Sequence, residues 1–251
     1  MTFAGKVLLA TGAGSGIAAE VARGFAAAGG YVALLDRDYE KAIKVASDLE
    51  HALPVACDVS NEVSVQRAVD DAVRHFGRID CVLNSAGHVI NKPIDNVSVE
   101  EWNKMLAVHI TGTFLICKTS LQHLRKAECG SIVNMSSVAA ISGIKNLSAY
   151  AAAKGGILAL SRQMAIEFAP YGIRVNAVVP GSIETPMSIE LAVDRGKGDR
   201  AKGFQGVIDN TPLGRVGQPK EAAAAILFLL SDAASYFTGT ELKPDGGLTA
   251  K

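Results

Sequence analysis

Tyr150 and Lys154 stand four residues apart in Ser148-Ala-Tyr-Ala-Ala-Ala-Lys154, with Ser137 upstream. On a helix, positions i and i+4 share a face about one turn apart, so a phenol and an ammonium can enter one cleft side by side. A free phenol, with a pKa near about 10, is a poor base at neutral pH. An adjacent cation stabilises the phenolate and lowers that value. Such a pair can take the proton of an alcohol, and the hydroxyl of Ser137 can bond the same substrate oxygen. The same spacing also describes an ordinary amphipathic surface pair. The elements that carry these residues must decide between the two.

Apolar runs of strand length alternate with helix-period segments along the chain. Strands are expected at Val7–Ala10, Tyr31–Leu35, Pro54–Cys57, Ile79–Leu83, Ser131–Met135, Ile173–Val179 and near Gly239–Leu242. Helices are expected over 17–28, 39–50, 62–75, 150–168 and 219–231. Ser98-Val-Glu-Glu101 has the capping-box pattern and should open one long helix towards Leu121. Strands that are apolar throughout, joined by helices, indicate a parallel sheet covered on both faces. The expectation is an α/β fold: a single Rossmann-type, doubly wound domain over 1–251, with a seven-stranded parallel sheet. The segment 187–212 breaks the rhythm. It is polar, carries Gly196, Gly198 and Gly203, and suits a substrate lid.

Composition narrows the function. Lys+Arg and Asp+Glu both total 25, the formal net charge is zero, and 49% of residues are hydrophobic. No basic block points to a nucleic-acid partner. No apolar run is long enough to span a membrane, and the amino terminus lacks the pattern of a secretion signal. Cys57, Cys81, Cys117 and Cys129 form no CxxC pair and read as reduced residues of a cytoplasmic protein, with no metal site.

Directly after the first strand comes Thr11-Gly-Ala-Gly-Ser-Gly-Ile17. Glycines there let the backbone turn tightly and approach a pyrophosphate seated on the next helix. Such a turn can also be a plain strand–helix connection. Asp36, 20 positions after Gly16 at the end of the second strand, favours the cofactor reading, because a carboxylate there can accept both ribose hydroxyls of NAD. A 2′-phosphate at about 4 Å would meet a like charge costing roughly 4 kcal/mol at an effective dielectric near 20, before screening. NAD is therefore expected over NADP, with the guanidinium of Arg37 offsetting part of the repulsion.

Together these residues resemble the short-chain dehydrogenase/reductase family over essentially the whole chain. Thr11-Gly12-x-x-x-Gly16, with Ser15 and Ile17, is similar to the family's dinucleotide turn, although Ala18 stands where the third glycine is usual. Cys57-Asp58-Val59 resembles the segment whose Asp bonds adenine, and Asn84-Ser85-Ala86-Gly87 the Asn-Asn-Ala-Gly turn. Pro180-Gly181-Ser182-Ile183-Glu184-Thr185 resembles the loop that fixes the nicotinamide carboxamide. Ser137, Tyr150 and Lys154 fall at the family's catalytic spacing. Ser136 is adjacent to Ser137, and either could be a turn residue. Asp58 could instead be a helix cap, and Thr185 a turn hydroxyl. Val108-His109-Ile-Thr-Gly112 places His109 where the family usually has an Asn that holds a water linking the Lys to solvent. An imidazole there either takes over that role, making the relay more pH-sensitive, or is a packed core residue.

The resemblance implies hydride transfer between a carbinol carbon and nicotinamide, with Tyr150 as base, Ser137 orienting the substrate oxygen, and Lys154 tuning the phenol and bonding the ribose. Val138, Ala139, Ile144, Leu147, Ser182 and Met187 are expected beside the reacting carbon. They are mostly small or apolar, and only Lys145 stands out as a cation that could face a substrate anion. The expected substrate is a neutral, hydrophobic secondary alcohol, cyclic, terpenoid or steroid-like. Two alternatives stand beside it: a 3-oxoacyl-thioester (acyl-carrier-protein) reductase, which Asp36 disfavours, and a non-catalytic dinucleotide sensor. Relatives of this kind are commonly homotetramers that pair the helices near 101–121 and 150–168.

Overall fold

The computed structural model describes residues 1–250; Lys251 lies outside them. Seven strands form one parallel sheet: β1 (Val7–Thr11), β2 (Tyr31–Asp36), β3 (Ala52–Ala56), β4 (Cys81–Asn84), β5 (Ser131–Met135), β6 (Arg174–Val178) and β7 (Glu241–Leu242). Their order is β3-β2-β1-β4-β5-β6-β7. The chain winds outward from β1 in one direction and from β4 in the other, which is the doubly wound topology expected from the alternation.

Successive strand residues point to opposite faces, and the two faces are covered by different helices. Leu8, Val32, Leu34 and Val133 pack with α1 (Gly16–Ala27) and α9 (Pro219–Leu230) in one buried cluster. Leu9, Ala33, Leu35, Val82, Ile132 and Val175 pack on the other side with α3 (Glu62–Phe76), α5 (Gly112–Leu124) and α6 (Ser148–Phe168). Ala18 is buried in the first cluster, so its methyl is accommodated where a glycine is usual.

Three elements depart from expectation. The second helix, α2, covers Tyr39–Ala46 and stops short of residue 50. The long helix from Ser98 is two: α4 (Val99–Leu106), opened by the Ser98–Glu101 capping box, and α5, joined by a π-helical turn over Ala107–Thr111. The hydroxyl of Thr113 donates to the carbonyl of His109 at 2.7 Å, giving the widened turn a side-chain partner. The segment 187–212 is not a structureless loop. It lies largely within α7 (Pro186–Arg195) and α8 (Arg200–Asn210). Thr185 caps α7 and Asp199 caps α8 through their side chains. A Cβ at Gly203 would lie 1.8 Å from the carbonyl oxygen of Ala192, so that glycine permits close packing of the two helices.

Candidate active site

In a parallel α/β sheet the cleft forms where the strand order reverses, outside the carboxyl ends of the strands. Here that point lies between β1 and β4. A cavity of about 570 Å³ opens there, lined by residues from the ends of β1, β2, β4, β5 and β6.

The glycine turn forms its floor. Gly12 has φ +63°, and a Cβ on it would lie 2.8 Å from the Cα of Ala86, so only glycine fits. The hydroxyl of Thr11 accepts from the amides of Ser85 at 3.0 Å and Ala86 at 3.2 Å, tying the turns after β1 and β4 together. Ser15, the N-cap of α1, makes no side-chain capping bond. The first-turn amides of α1 thus keep their donors for an anion at the helix's positive end. Asp36 lines the cavity, its two carboxylate oxygens accepting from the amides of Gly14 and Asp38, each at 2.9 Å. These features fit a dinucleotide: glycine floor, uncapped helix amides, and a ribose-side carboxylate.

The cavity brings together Gly12, Ser15, Gly16, Ile17, Asp36, Arg37, Asp58, Val59, Ala86, Gly87, Pro180, Gly181, Ile183 and Thr185. Asn84 is placed elsewhere. Its side chain is buried and donates to Asn134 Oδ1 at 2.8 Å, with Cys117 Sγ at 3.2 Å, bracing β4 to β5 rather than facing the cavity. Asp58 combines two arrangements: one oxygen accepts from the amide and hydroxyl of Ser60, in a turn that holds its carboxyl below the usual range, while the residue still lines the cavity. Thr185 likewise caps α7 and lines the cavity.

At the inner end stand Ser137, Tyr150 and Lys154. Ser137 follows β5, and its Oγ accepts from the amide of Ala139 at 3.2 Å. Its neighbour Ser136 is buried and donates to the carbonyl of Lys154 at 2.9 Å, so Ser136 holds α6 against the strand end. Lys154 is only 3% exposed, donates to the carbonyl of Met135 at 2.7 Å, and its Nζ lies 5.5 Å from the Tyr150 ring centre. Both therefore line the cavity rather than forming a solvated surface pair. Burial drags the Lys154 ammonium down to about 7. Burial also pushes the Tyr150 phenol up to about 12, with the Ser137 hydroxyl opposing the rise. Desolvation thus dominates the phenol in the cofactor-free chain, where no lowering by Lys154 is evident.

His109 sits on the π-turn, 1% exposed, its ring 5.6 Å from that of Tyr150 and edge-on to it. Nε2 lies 2.9 Å from the carbonyl and 3.1 Å from the amide of His88, meeting one or the other according to tautomer. Nδ1 is buried with no partner among the described residues. Burial, with the charge of Lys154, holds the imidazole well below its ordinary pKa. That shift and the close packing favour the packed-core alternative over the pH-sensitive relay.

Val138, Ile144, Leu147, Ser182 and Met187 line the substrate end, whereas Ala139 is buried outside it and Lys145 is exposed away from it. Lining residues not anticipated include His88, Lys104, Leu191, Arg195 and Leu248. Met187, Leu191 and Arg195 follow an i, i+4, i+8 series, a signal hidden while 187–212 reads as a loop.

Residues 12–249 match the family model described as enoyl-(acyl carrier protein) reductase. L-fucose dehydrogenase of Oryctolagus cuniculus is 39% identical over 246 residues, covering 98% of this chain and 85% of the relative. Cis-4-hydroxycyclohexanecarboxylate dehydrogenase of Sinomonas cyclohexanicum is 39% identical over 254 residues, covering 99% and 98%. The structure of 3-ketoacyl-(acyl-carrier-protein) reductase from Brucella melitensis, complexed with NADH, superposes with a TM-score of 0.90 at 35% identity, covering 98% of this chain and 99% of that one. Fold, cleft and relatives converge: the chain belongs to the short-chain dehydrogenase/reductase family and is an oxidoreductase of CH–OH groups that works with a nicotinamide dinucleotide.

Proposed function

We propose that the chain is an NAD-dependent dehydrogenase that interconverts a secondary, ring-borne alcohol and its ketone. The observation that carries the cofactor choice is Asp36, whose carboxylate lines the cleft at the end of β2, where a ribose 2′-oxygen would lie. The apolar walls at Ile144, Leu147 and Met187 support a compact hydrophobic carbon skeleton. Relatives named for L-fucose and for hydroxycyclohexanecarboxylate support a hydroxyl carried on a ring.

A bound nicotinamide supplies the hydride acceptor and a positive ring charge. Everything else falls to this chain. Tyr150 Oη takes the alcohol proton, and Ser137 Oγ, held by the Ala139 amide, orients the same substrate oxygen. Lys154, anchored on Met135, keeps its remaining N–H donors for the ribose side of the cleft. His109, buried and packed edge-on to Tyr150, positions the phenol ring, and its free Nδ1 can hold a water beside it. The segment 187–212 acts as the substrate lid, moving as a helical pair.

The reading also includes a homotetramer in the cytoplasm. Exposed Trp102, Phe114 and Ile166 on α4, α5 and α6 support pairing of those helices, and light scattering tests it. Four free cysteines suit a reducing compartment. Among the described residues no helix is long and apolar enough to cross a membrane. The deciding experiment is a screen of cyclic and acyclic secondary alcohols with NAD⁺ and NADP⁺, with acetoacetyl-thioester and NADPH as the competing assay. Turnover of the thioester alone refutes the proposal.

A further inference from the structure

Arg195 is the last residue of α7 and turns inward to line the cleft, while its neighbour Asp194 is exposed. No carboxylate among the described residues pairs with the guanidinium, and none of its N–H groups has a protein acceptor. Asp194, the nearest acid in sequence, accepts instead from the amide of Asn91 at 2.7 Å. The other arginine of the lid, Arg200, is paired with Glu184. A cation at a helix carboxyl end is favoured by the dipole, but that attraction does not require the side chain to fold into an apolar cleft. Its position is half-buried, beside Met187, Leu191 and Val207. A half-buried arginine that feels the charge of Asp194 but makes no ion pair or hydrogen bond of its own is poised for an anion that arrives with the ligand.

That anion is not the cofactor's pyrophosphate. Gly16 lies against Thr185, since a Cβ on Gly16 would be 3.3 Å from the Thr185 methyl, so α7 begins beside the dinucleotide turn. Arg195 is nine residues further along, about 13 Å down the helix axis at 1.5 Å per residue. The Asn91–Asp194 bond fixes that end of α7 to the segment after β4, whose Ile90 packs in the cluster that holds Tyr150. The guanidinium therefore belongs to the substrate end of the cleft. The other cations that line the cavity besides Lys154, namely Arg37, Lys41 and Lys104, accompany Asp36 or Asp58 at the cofactor end. A single unpaired guanidinium matches one negative charge, not the nearly two of a phosphate monoester.

We propose that Arg195 anchors a carboxylate on the substrate, so that the natural substrate is a secondary alcohol bearing one carboxylate on the side of the molecule away from the carbinol carbon. This rests on the alcohol dehydrogenase reading above and departs from the neutral substrate expected from sequence. Met187 and Leu191 cover the carbon skeleton between the two polar ends, while Tyr150 and Ser137 hold the alcohol oxygen.

The test separates binding from turnover. Isothermal titration of the NADH-loaded protein with cyclohexanecarboxylate and with cyclohexanecarboxamide compares an anion with a neutral ligand of the same shape. The carboxylate should bind roughly 10- to 100-fold more tightly. In Arg195→Gln the gap should close to within about twofold. In Arg195→Lys, which keeps the charge but not the fork, part of it should remain. Equal binding of the two ligands to the wild type, or a gap that survives in Arg195→Gln, overturns the proposal. Turnover of cis-4-hydroxycyclohexanecarboxylate and of its methyl ester is followed in parallel. No turnover of either, with the binding gap intact, counts against the ring-alcohol reading and not against Arg195.

Discussion

Replacing Asp36 with asparagine removes one charge from the ribose end of the cleft and should move the enzyme towards NADP. A 2′-phosphate set about 4 Å from Asp36 meets roughly 4 kcal/mol of repulsion at an effective dielectric near 20. Asp36 is half-exposed and Arg37 is adjacent, so solvent, salt and the guanidinium leave about 1–2 kcal/mol. That corresponds to roughly a 5- to 30-fold change in the ratio of kcat/KM for NADP⁺ to that for NAD⁺. The substitution has a structural side, because both carboxylate oxygens accept backbone amides, from Gly14 and Asp38. An asparagine offers only one oxygen, and losing the other bond should cost about 1 kcal/mol, a fall of about 2–4 °C in Tm. Steady-state kinetics with both cofactors, beside thermal melts, separate the two effects. Adding Arg37→Ala to Asp36→Asn should erase the gain with NADP⁺. The charge argument is refuted if Asp36→Asn leaves the cofactor ratio within twofold of wild type, or if the wild type uses both cofactors equally.

Tyr150→Phe should cut kcat by about 10²- to 10⁴-fold while dinucleotide binding, read by fluorescence titration, stays near wild type; retained turnover would remove Tyr150 from the proton step. Lys154 is held near 7 when folded and returns to 10.5 when unfolded, so the unfolded chain binds the extra proton between those values. The Lys154 contribution to the stability of the cofactor-free protein should rise by about 1–3 kcal/mol as pH climbs from about 7 to 9, above which the buried thiols of Cys57, Cys81 and Cys117, pushed up to about 11, 12 and 12, act in the opposite direction. Lys154→Met should flatten that slope, and denaturant melts across the range check it. His109→Asn should lower kcat yet leave the pH–rate profile between 6 and 9 in place, because burial and the charge of Lys154 hold the imidazole well below its ordinary pKa; a moved acid limb would show that it titrates. Gly203→Ala should destabilise the protein by about 1–3 kcal/mol and raise KM, since its methyl meets the Ala192 carbonyl; an unchanged melt would show that the helical pair tolerates separation.

Much of the fold was legible because its signals are local. Apolar strands, the glycine turn and the Ser98 capping box each announce themselves within a few residues, and their alternation dictates parallel pairing. The floor of the cleft and the placement of Ser137, Tyr150 and Lys154 follow from the same short motifs. What stayed hidden depends on contacts between distant segments. Gly203 looks like flexibility until Ala192 is seen against it. Asn84 looks like a cofactor residue until Asn134, from the neighbouring strand, takes its amide. The phenol of Tyr150 looks activated by its neighbour until the burial of both groups is counted. Arg195 was invisible because its face of α7 exists only once Thr185 and Ser188 have closed the cap.

The widened turn at Ala107–Thr111 sets a rule about chain length. Each residue of an α-helix advances the face by about 100°. A π-turn takes up one residue more than regular coiling would need. Deleting any one residue between Ala107 and Thr111 would allow an unbroken helix from Val99 to Leu124, with excellent local geometry. Because the π-turn absorbs its extra residue within that one turn, the two halves would stay nearly in phase. With α5 fixed by Ile116 and Leu124 in the core, Met105 would keep its place beside Ala149 and Ala153 on the helix that carries Tyr150. The loss would fall on the turn itself, which sets His109 against the Tyr150 ring. A shortened variant would keep its helix content in far-ultraviolet circular dichroism and the docking of α4, while losing that placement of His109.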